Sequence, residues 1–312
     1  MHIHIKLTTS TTTTEQGLRL RPGVIGDAKD IGKIIFEAFS EIADKHGFPR
    51  EFPTADIGIN VATFFLSTPG FYSVVAEDMK KQIDSKIVGS NFLDERSSLV
   101  AGVGPITIDP KSQDKGVGRK LMINIIERAK SKNYPAIRLL QAAYHNRSLA
   151  LYTNLGFEVR EPISALQGKP IEASVPGRSV RMATEADLES CNQLCRAIHG
   201  HDRNGELKDS IKQGIAKVVI YDNKITGYTS GLTYFNHSVG FSNDDLKALI
   251  ASESSTSTTD SYGGPGILIP TRNTEIFRWC LNNKLRLVHQ LTLMTIGMYN
   301  DPAGSYMPSI LY

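Results

Sequence analysis

Between Val103 and Leu121 an apolar run ends at Pro110, and a bend with two glycines, Gly116 and Gly118, opens an amphipathic segment. Backbone N–H groups at such a bend point outward, and a helix that follows adds roughly half a positive charge at its start. That combination makes a cradle for phosphate or diphosphate. Glycine lets a ligand approach the main chain closely. Lys111, Lys115, Arg119 and Lys120 against Asp114 give residues 111–120 a net charge of +3, equal to that of the whole chain. Spacing excludes two common nucleotide motifs. No G-x-x-x-x-G-K-[ST] run exists, and Leu121 stands where a dinucleotide fingerprint beginning at Gly116 places its third glycine. A glycine-rich turn without a ligand stays open at this point.

Other chemistry-bearing residues are less organised. Cys191, Cys195 and His199 recur at helical spacing, with His201 close by. A structural zinc usually takes four ligands, and the fourth here is badly placed, so these read as core residues and no metal site is expected. No G-x-S-x-G nucleophile turn appears.

The chain has 312 residues, which at about 150 per domain predicts two domains. Its 35 basic and 32 acidic residues leave too small an excess for nucleic acid or an anionic membrane to be the main partner. No stretch approaches the roughly 20 apolar residues of a membrane span. Met1 to Lys6 carries no long apolar segment, so a secretory signal is not expected. Three cysteines without such a signal point to a reducing, cytoplasmic setting.

The elements around the bend follow from periodicity. Strands are expected at 18–21, 71–76, 86–92, 99–108, 136–140 and 156–159. Helices are expected at 27–39, 116–130 and 148–155. The order β-α-β-β-β-α-β-α-β is a mixed α/β domain. The chain then restarts. Arg21 with Asp27 six positions on is echoed by Arg181 with Asp187, each after a short strand and before an amphipathic helix. Thr184 and Asp187 fit a capping box. Residues 218–228 form a strand, a tight turn at Asp222-Asn223 and a strand, as 73–89 do. Asn273 opens a helix over 274–281, followed by a strand at 285–288. The expected organisation is a flexible tail at 1–17, one copy at 18–162, a Pro/Gly-containing linker at 163–178 and a second copy at 179–312. The Ser/Thr-rich stretch 252–261 reads as a solvated insertion.

Gln113-Asp114-Lys115-Gly116-Val117-Gly118 resembles the Q/R-x-x-G-x-G/A signature of the GNAT superfamily of N-acetyltransferases. Asn146 to Phe157 is similar to that superfamily's N-x-x-A-x-x-L-Y-x-x-x-G-F region, and the element order extends the likeness to about residues 18–160. The resemblance implies two tandem GNAT-like domains. It implies acetyl-CoA as co-substrate, held by Gln113, Asp114, Lys115, Gly116, Val117, Gly118, Arg119 and Lys120. It further implies transfer of acetyl to a primary amine on a small molecule or peptide. The fourth strand would offer a main-chain donor at Ile106 or Ile108, with Thr107 between them. Tyr152 would protonate the leaving thiolate, and Asn146 would bond the pantetheine arm or cap its helix. The 99–108 strand has no carboxylate to serve as base. Asp94, Glu95 and Glu77 nearby are expected to be surface acids, with Glu95 the candidate base; His46, in the aromatic loop after the first helix, is the other candidate. The second copy looks worn: Phe241 to Leu246 is acidic where the first copy is basic, and Trp279 aligns with Tyr152. An acyl-CoA-binding sensor or scaffold without catalysis is the alternative.

Overall fold

The computed structural model describes residues 12–13, 17–81, 86–253 and 266–312. Most of the expected tail and most of the Ser/Thr-rich insertion lie outside them. In chain order the strands and helices begin β1 (Thr12–Thr13), β2 (Leu18–Pro22), α1 (Ala28–His46), α2 (Ala55–Ser67), β3 (Phe71–Asp78), β4 (Ile87–Asp94), β5 (Val100–Val103), β6 (Thr107–Ile108) and α3 (Val117–Ser131). They continue β7 (Ala136–Ala142), α4 (Asn146–Asn154), β8 (Glu158–Gln167), β9 (Ser179–Met182), α5 (Leu188–His199), α6 (Asn204–Lys212), β10 (Lys217–Tyr221), β11 (Lys224–Thr229) and β12 (Ser238–Gly240). The last are α7 (Asn243–Ala251), β13 (Ile267–Pro270), α8 (Thr274–Asn282), β14 (Arg286–Gly297) and β15 (Ser305–Met307). The chain divides into two compact units, residues 1–93 with 105–128, and residues 94–104 with 129–312.

In the first unit β1, β2 and β3 pair antiparallel, and β6 pairs antiparallel with β4. Helix α2 was not expected from periodicity. It packs on α1 through a glycine pair: a Cβ on Gly32 would sit 2.3 Å from the Ile59 Cα, and one on Gly58 would sit 2.3 Å from the Gly32 carbonyl oxygen. Any side chain there would force the helices apart. Ile31, Ile35, Phe65, Phe92, Leu121 and Met122 are buried in this unit.

The expected strand 99–108 is broken. β5 ends at Val103, Gly104 takes φ +133°, and Pro105 has no N–H to give a ladder. β6 resumes for two residues only.

In the second unit one sheet runs β5-β7-β14-β8-β13, with β5 and β7 parallel and the other pairs antiparallel. β14, of the second copy, thus lies between β7 and β8 of the first. β8 in turn lies between β14 and β13 of the second. Each copy lends its last long strand to the other. β8 runs to Gln167, through the boundary expected at 162, and β14 extends well past the expected 285–288. A further sheet runs β15-β12-β11-β10-β9. The repeat is visible in its ion pairs: Arg21 Nη1 lies 2.7 Å from Asp27 Oδ2, and Arg181 Nη1 lies 2.7 Å from Asp187 Oδ2. Both aspartates also accept the N–H three residues back, from Val24 at 2.9 Å and Thr184 at 2.8 Å. The Arg181 guanidinium holds the Asp187 carboxyl below the usual carboxylate range.

Candidate functional site

The bend is assembled in the first unit. Asp109 accepts the Lys111 N–H at 2.9 Å and starts a single 3-10 turn, Pro110–Ser112. Asp114 and Gly116 then take φ +63° and +74° before α3 begins. Two left-handed residues in three turn successive amides toward one side, and the first amides of α3 have no carbonyl one turn back. The Lys120 N–H makes an early helical bond, to Gly116 at 3.2 Å. A Cβ on Gly116 would meet nothing within 4 Å, so there is open space beside this glycine. Asp114, Lys115, Gly116 and Arg119 are exposed, Gln113, Gly118 and Lys120 are half-buried, and the buried Val117 pins the start of the helix. Gln113 Nε2 lies 3.4 Å from Glu41 Oε2, which sets α1 beside the bend. The residues present fit an anionic diphosphate: outward amides, open space and basic side chains.

The strand before the bend has a defined polarity. Asp109 N–H donates to the Val88 carbonyl at 2.9 Å. Ile108 faces Gly89 across the ladder. In antiparallel pairing that makes Gly89–Ile108 a non-hydrogen-bonded pair, so the Ile108 N–H is directed away from β4. Ile106 lies in the break and is half-buried. Thr107 is buried, its hydroxyl 3.4 Å from that of Ser90.

Tyr152, Asn146 and Glu95 belong to the second unit. Tyr152 sits in α4 and is 6% exposed, edge-on to Phe157 with ring centroids 6.1 Å apart. Among the described residues its hydroxyl has no hydrogen-bond partner. Burial pushes the phenol well above its ordinary value, so it holds its proton. Asn146 is exposed and is the first helical residue of α4; His145 occupies the cap position. The N-cap reading of Asn146 is therefore corrected.

The acids differ from expectation. Glu77 is buried, not a surface acid. Burial opposes its charge, but Arg19 and Arg21, at 2.6 and 2.9 Å, overcome this and hold the carboxyl below the usual range. Asp94 is buried and held by Arg96 at 2.7 Å. Glu95 is half-buried, and its carbonyl accepts the Tyr134 hydroxyl at 2.8 Å. His46 ends α1 and is exposed.

Glu51 lies in the same loop as His46 and was not among the expected site residues. Arg50 beside it is taken by Asp44 at 2.8 Å, and Phe52 stacks edge-on to Phe39 at 5.2 Å. Glu51 is partly buried without a cation among the described residues, and burial pushes its carboxyl up to about 7. The flanking Phe48, Phe52, Pro49 and Pro53 were the available signal.

The three cysteines are buried thiols, as expected. Burial pushes Cys191 and Cys280 up to about 12 and Cys195 to about 11. Among the described residues no group of three or more His, Cys, Asp or Glu could hold a metal ion, and no helix is long and apolar enough to cross a membrane.

A strand with an outward amide, leading through a basic glycine bend into a helix, and a second copy in the same element order define a tandem GNAT fold. Residues 30–157 match the acetyltransferase (GNAT) family. Over that stretch the chain is similar to acetyltransferases of that family.

Solved structures agree over the whole chain. A Pyrococcus horikoshii protein assigned as an acetyltransferase matches with TM-score 0.68 and 16% identity, covering 97% of each chain. A GCN5-related N-acetyltransferase from Sphaerobacter thermophilus matches with TM-score 0.61 and 13% identity, over 94% of this chain and 100% of that one. A tandem GNAT protein from the clavulanic acid biosynthesis pathway matches with TM-score 0.55 and 13% identity, over 94% and 99%. At these identities the likeness is one of fold. No curated protein sequence matches significantly.

Proposed function

We propose that the protein transfers acetyl from acetyl-CoA to a primary amine in the cytoplasm, with residues 18–162 as the catalytic copy and 179–312 as a degenerate one. The observation that carries this reading is the paired left-handed geometry of Asp114 and Gly116 at the start of α3, open to solvent and ringed by basic side chains.

Acetyl-CoA supplies an activated acyl carbonyl. The amides of residues 114–118 hold its diphosphate, and Lys111, Lys115, Arg119 and Lys120 balance the charge. The Ile108 N–H, turned away from β4, donates to the acyl oxygen as that atom gains charge; Ile106 is the other candidate donor. Asn146, exposed at the start of α4, bonds the pantetheine arm.

An alkylamine is protonated near neutrality, with a pKa about 10, and must lose a proton before it attacks. Glu51, in the same loop as His46, joins His46 and Glu95 as a candidate for that task, because burial pushes its carboxyl up to about 7. Tyr152 gives its Oη proton to the leaving thiolate.

The test is release of free thiol from acetyl-CoA with a panel of primary amines. Thiol release with at least one amine supports the reading. Tight binding of acetyl-CoA with no release for any amine would favour a sensor or scaffold.

A further inference from the structure

The second copy repeats the strand of the first closely enough to compare the two pair by pair, but only residues 241–242 lead from it to the helix, where 109–116 do in the first copy. β12 pairs with β11 as β6 pairs with β4, and Gly240 faces Gly227 as Ile108 faces Gly89. The Phe241 N–H donates to the Thr226 carbonyl at 2.9 Å, as Asp109 donates to Val88. By the alternation of antiparallel bonds, the amides of Gly240 and Ser238 are directed away from β11, as that of Ile108 is directed away from β4. In the second copy this edge is filled. β15 pairs along it, with Gly240 opposite Ser305 and Ser238 opposite Met307.

The bend is missing, and the helix start is filled as well. Where the first copy opens its helix with glycine and lysine, α7 opens on Ser242 and Asp245. The Asp245 carboxylate accepts the Ser242 N–H at 2.9 Å and the Thr226 hydroxyl at 2.8 Å, and Arg178 Nε lies 2.9 Å from it. Asp245 is 2% exposed. A buried carboxylate, itself paired with an arginine, stands where the first copy offers open amides.

The segment after Met307 is fastened in the same unit. Arg203 Nη2 donates to the Ser309 hydroxyl at 3.1 Å, and the Ile310 N–H donates to the Tyr234 carbonyl at 2.8 Å. The Tyr312 ring lies 4.0 Å from the Arg138 guanidinium carbon.

We infer that the second copy is closed to acyl-CoA by groups of this chain: β15 occupies the strand edge that would hold the pantetheine arm, and Asp245 occupies the helix start that would hold the diphosphate. The copy is self-liganded, and its remaining contribution is β14, which completes the sheet beside β7. The inference rests on the proposed acetyl-CoA site of the first copy, and it fixes one acyl-CoA per chain.

Calorimetric titration of the full chain with acetyl-CoA, with Gly116→Asp and Arg119→Glu beside it, tests this. Wild type is expected to take one equivalent. Gly116→Asp, shown folded by its melting curve, is expected to bind at least 100-fold more weakly, and Arg119→Glu at least 10-fold if the glycine variant does not fold. Two equivalents in wild type, with one left in the variants, would overturn the closure and leave the first-copy site standing. No binding in wild type would overturn the first-copy site. One equivalent unaffected by either substitution would overturn both. Amide exchange at 238–240 and 305–307 is expected to be unchanged by saturating acetyl-CoA; loss of protection there would show β15 displaced and the closure wrong.

Discussion

Asp109 donates its main-chain N–H to Val88 at 2.9 Å, and this one bond sets the direction of the Ile108 amide. It leaves the Ile108 N–H outside the ladder with β4.

Gly116 has room for a side chain but the wrong backbone for one. Its φ is +74° and a Cβ would touch nothing within 4 Å. Gly116→Ala is expected to cost about 1–2 kcal/mol of stability through backbone strain alone. Chemical denaturation measures this; a loss under about 0.3 kcal/mol would contradict the left-handed geometry.

Tyr152→Phe removes a hydroxyl that has no partner among the described residues, so the melting temperature is expected to change little. Turnover is expected to fall about 100-fold, the low end for a positioned acid, with the KM for acetyl-CoA within twofold. Steady-state kinetics decide it, and an unchanged kcat would remove Tyr152 from the mechanism.

Glu51 gives the reaction a pH signature. Its carboxyl, pushed up to about 7 by burial, becomes a base only above that pH. kcat/KM is expected to rise through about pH 7, and Glu51→Gln is expected to lose both the inflection and most of the rate. The stability effect has the opposite sign. The folded state holds this proton between the ordinary glutamate value and about 7, so stability from Glu51 is lost as pH rises through that window. A wild-type pH profile retained by Glu51→Gln would return the base to His46 or Glu95.

The second unit buries a histidine cluster that responds to acid. His237 Nε2 lies 3.1 Å from His199 Nε2, and His201 Nε2 lies 3.4 Å from Arg138 Nη1. Burial, helped by Arg138 and Arg203, lowers all three, His201 to about 4. The unfolded chain therefore binds protons that the folded chain does not, and stability falls as pH drops below about 6.5. The unfolding free energy, measured by denaturant titration, is expected to fall between pH 7 and 5 with a slope approaching about 1.4 kcal/mol per pH unit for each histidine. A flat profile would contradict the buried, neutral cluster.

The strand exchange predicts that the copies do not fold apart. β14 lies between β7 and β8, so residues 1–162 alone would lack the strand between them and expose two unpaired edges. Expressed separately, residues 1–162 and 163–312 are expected to be insoluble or molten. A soluble, cooperatively melting N-terminal fragment would contradict the exchange.

Much of this was legible because it is local. The bend between Lys111 and Lys120, the helix after it and the Arg21–Asp27 and Arg181–Asp187 spacing each depend on residues close in sequence. α2 was not, because Val61, Thr63, Phe64 and Phe65 favour strand locally and the Gly32–Gly58 contact with α1 decides the matter. The length of β14 and the role of β15 rest on pairings with distant strands, which no periodicity reports. Glu77 looked like a surface acid because Arg19 and Arg21, which pair with it, are more than fifty residues away in sequence; Asp94 pairs with Arg96 two residues on, and its burial was what the local sequence did not report.

The most direct test of the central claim is a crystal structure of the full chain with acetyl-CoA bound. The diphosphate oxygens are expected within hydrogen-bonding distance of the amides of residues 114–118, with β15 still paired to β12. A bound cofactor whose diphosphate lies elsewhere, with the bend empty, would contradict it.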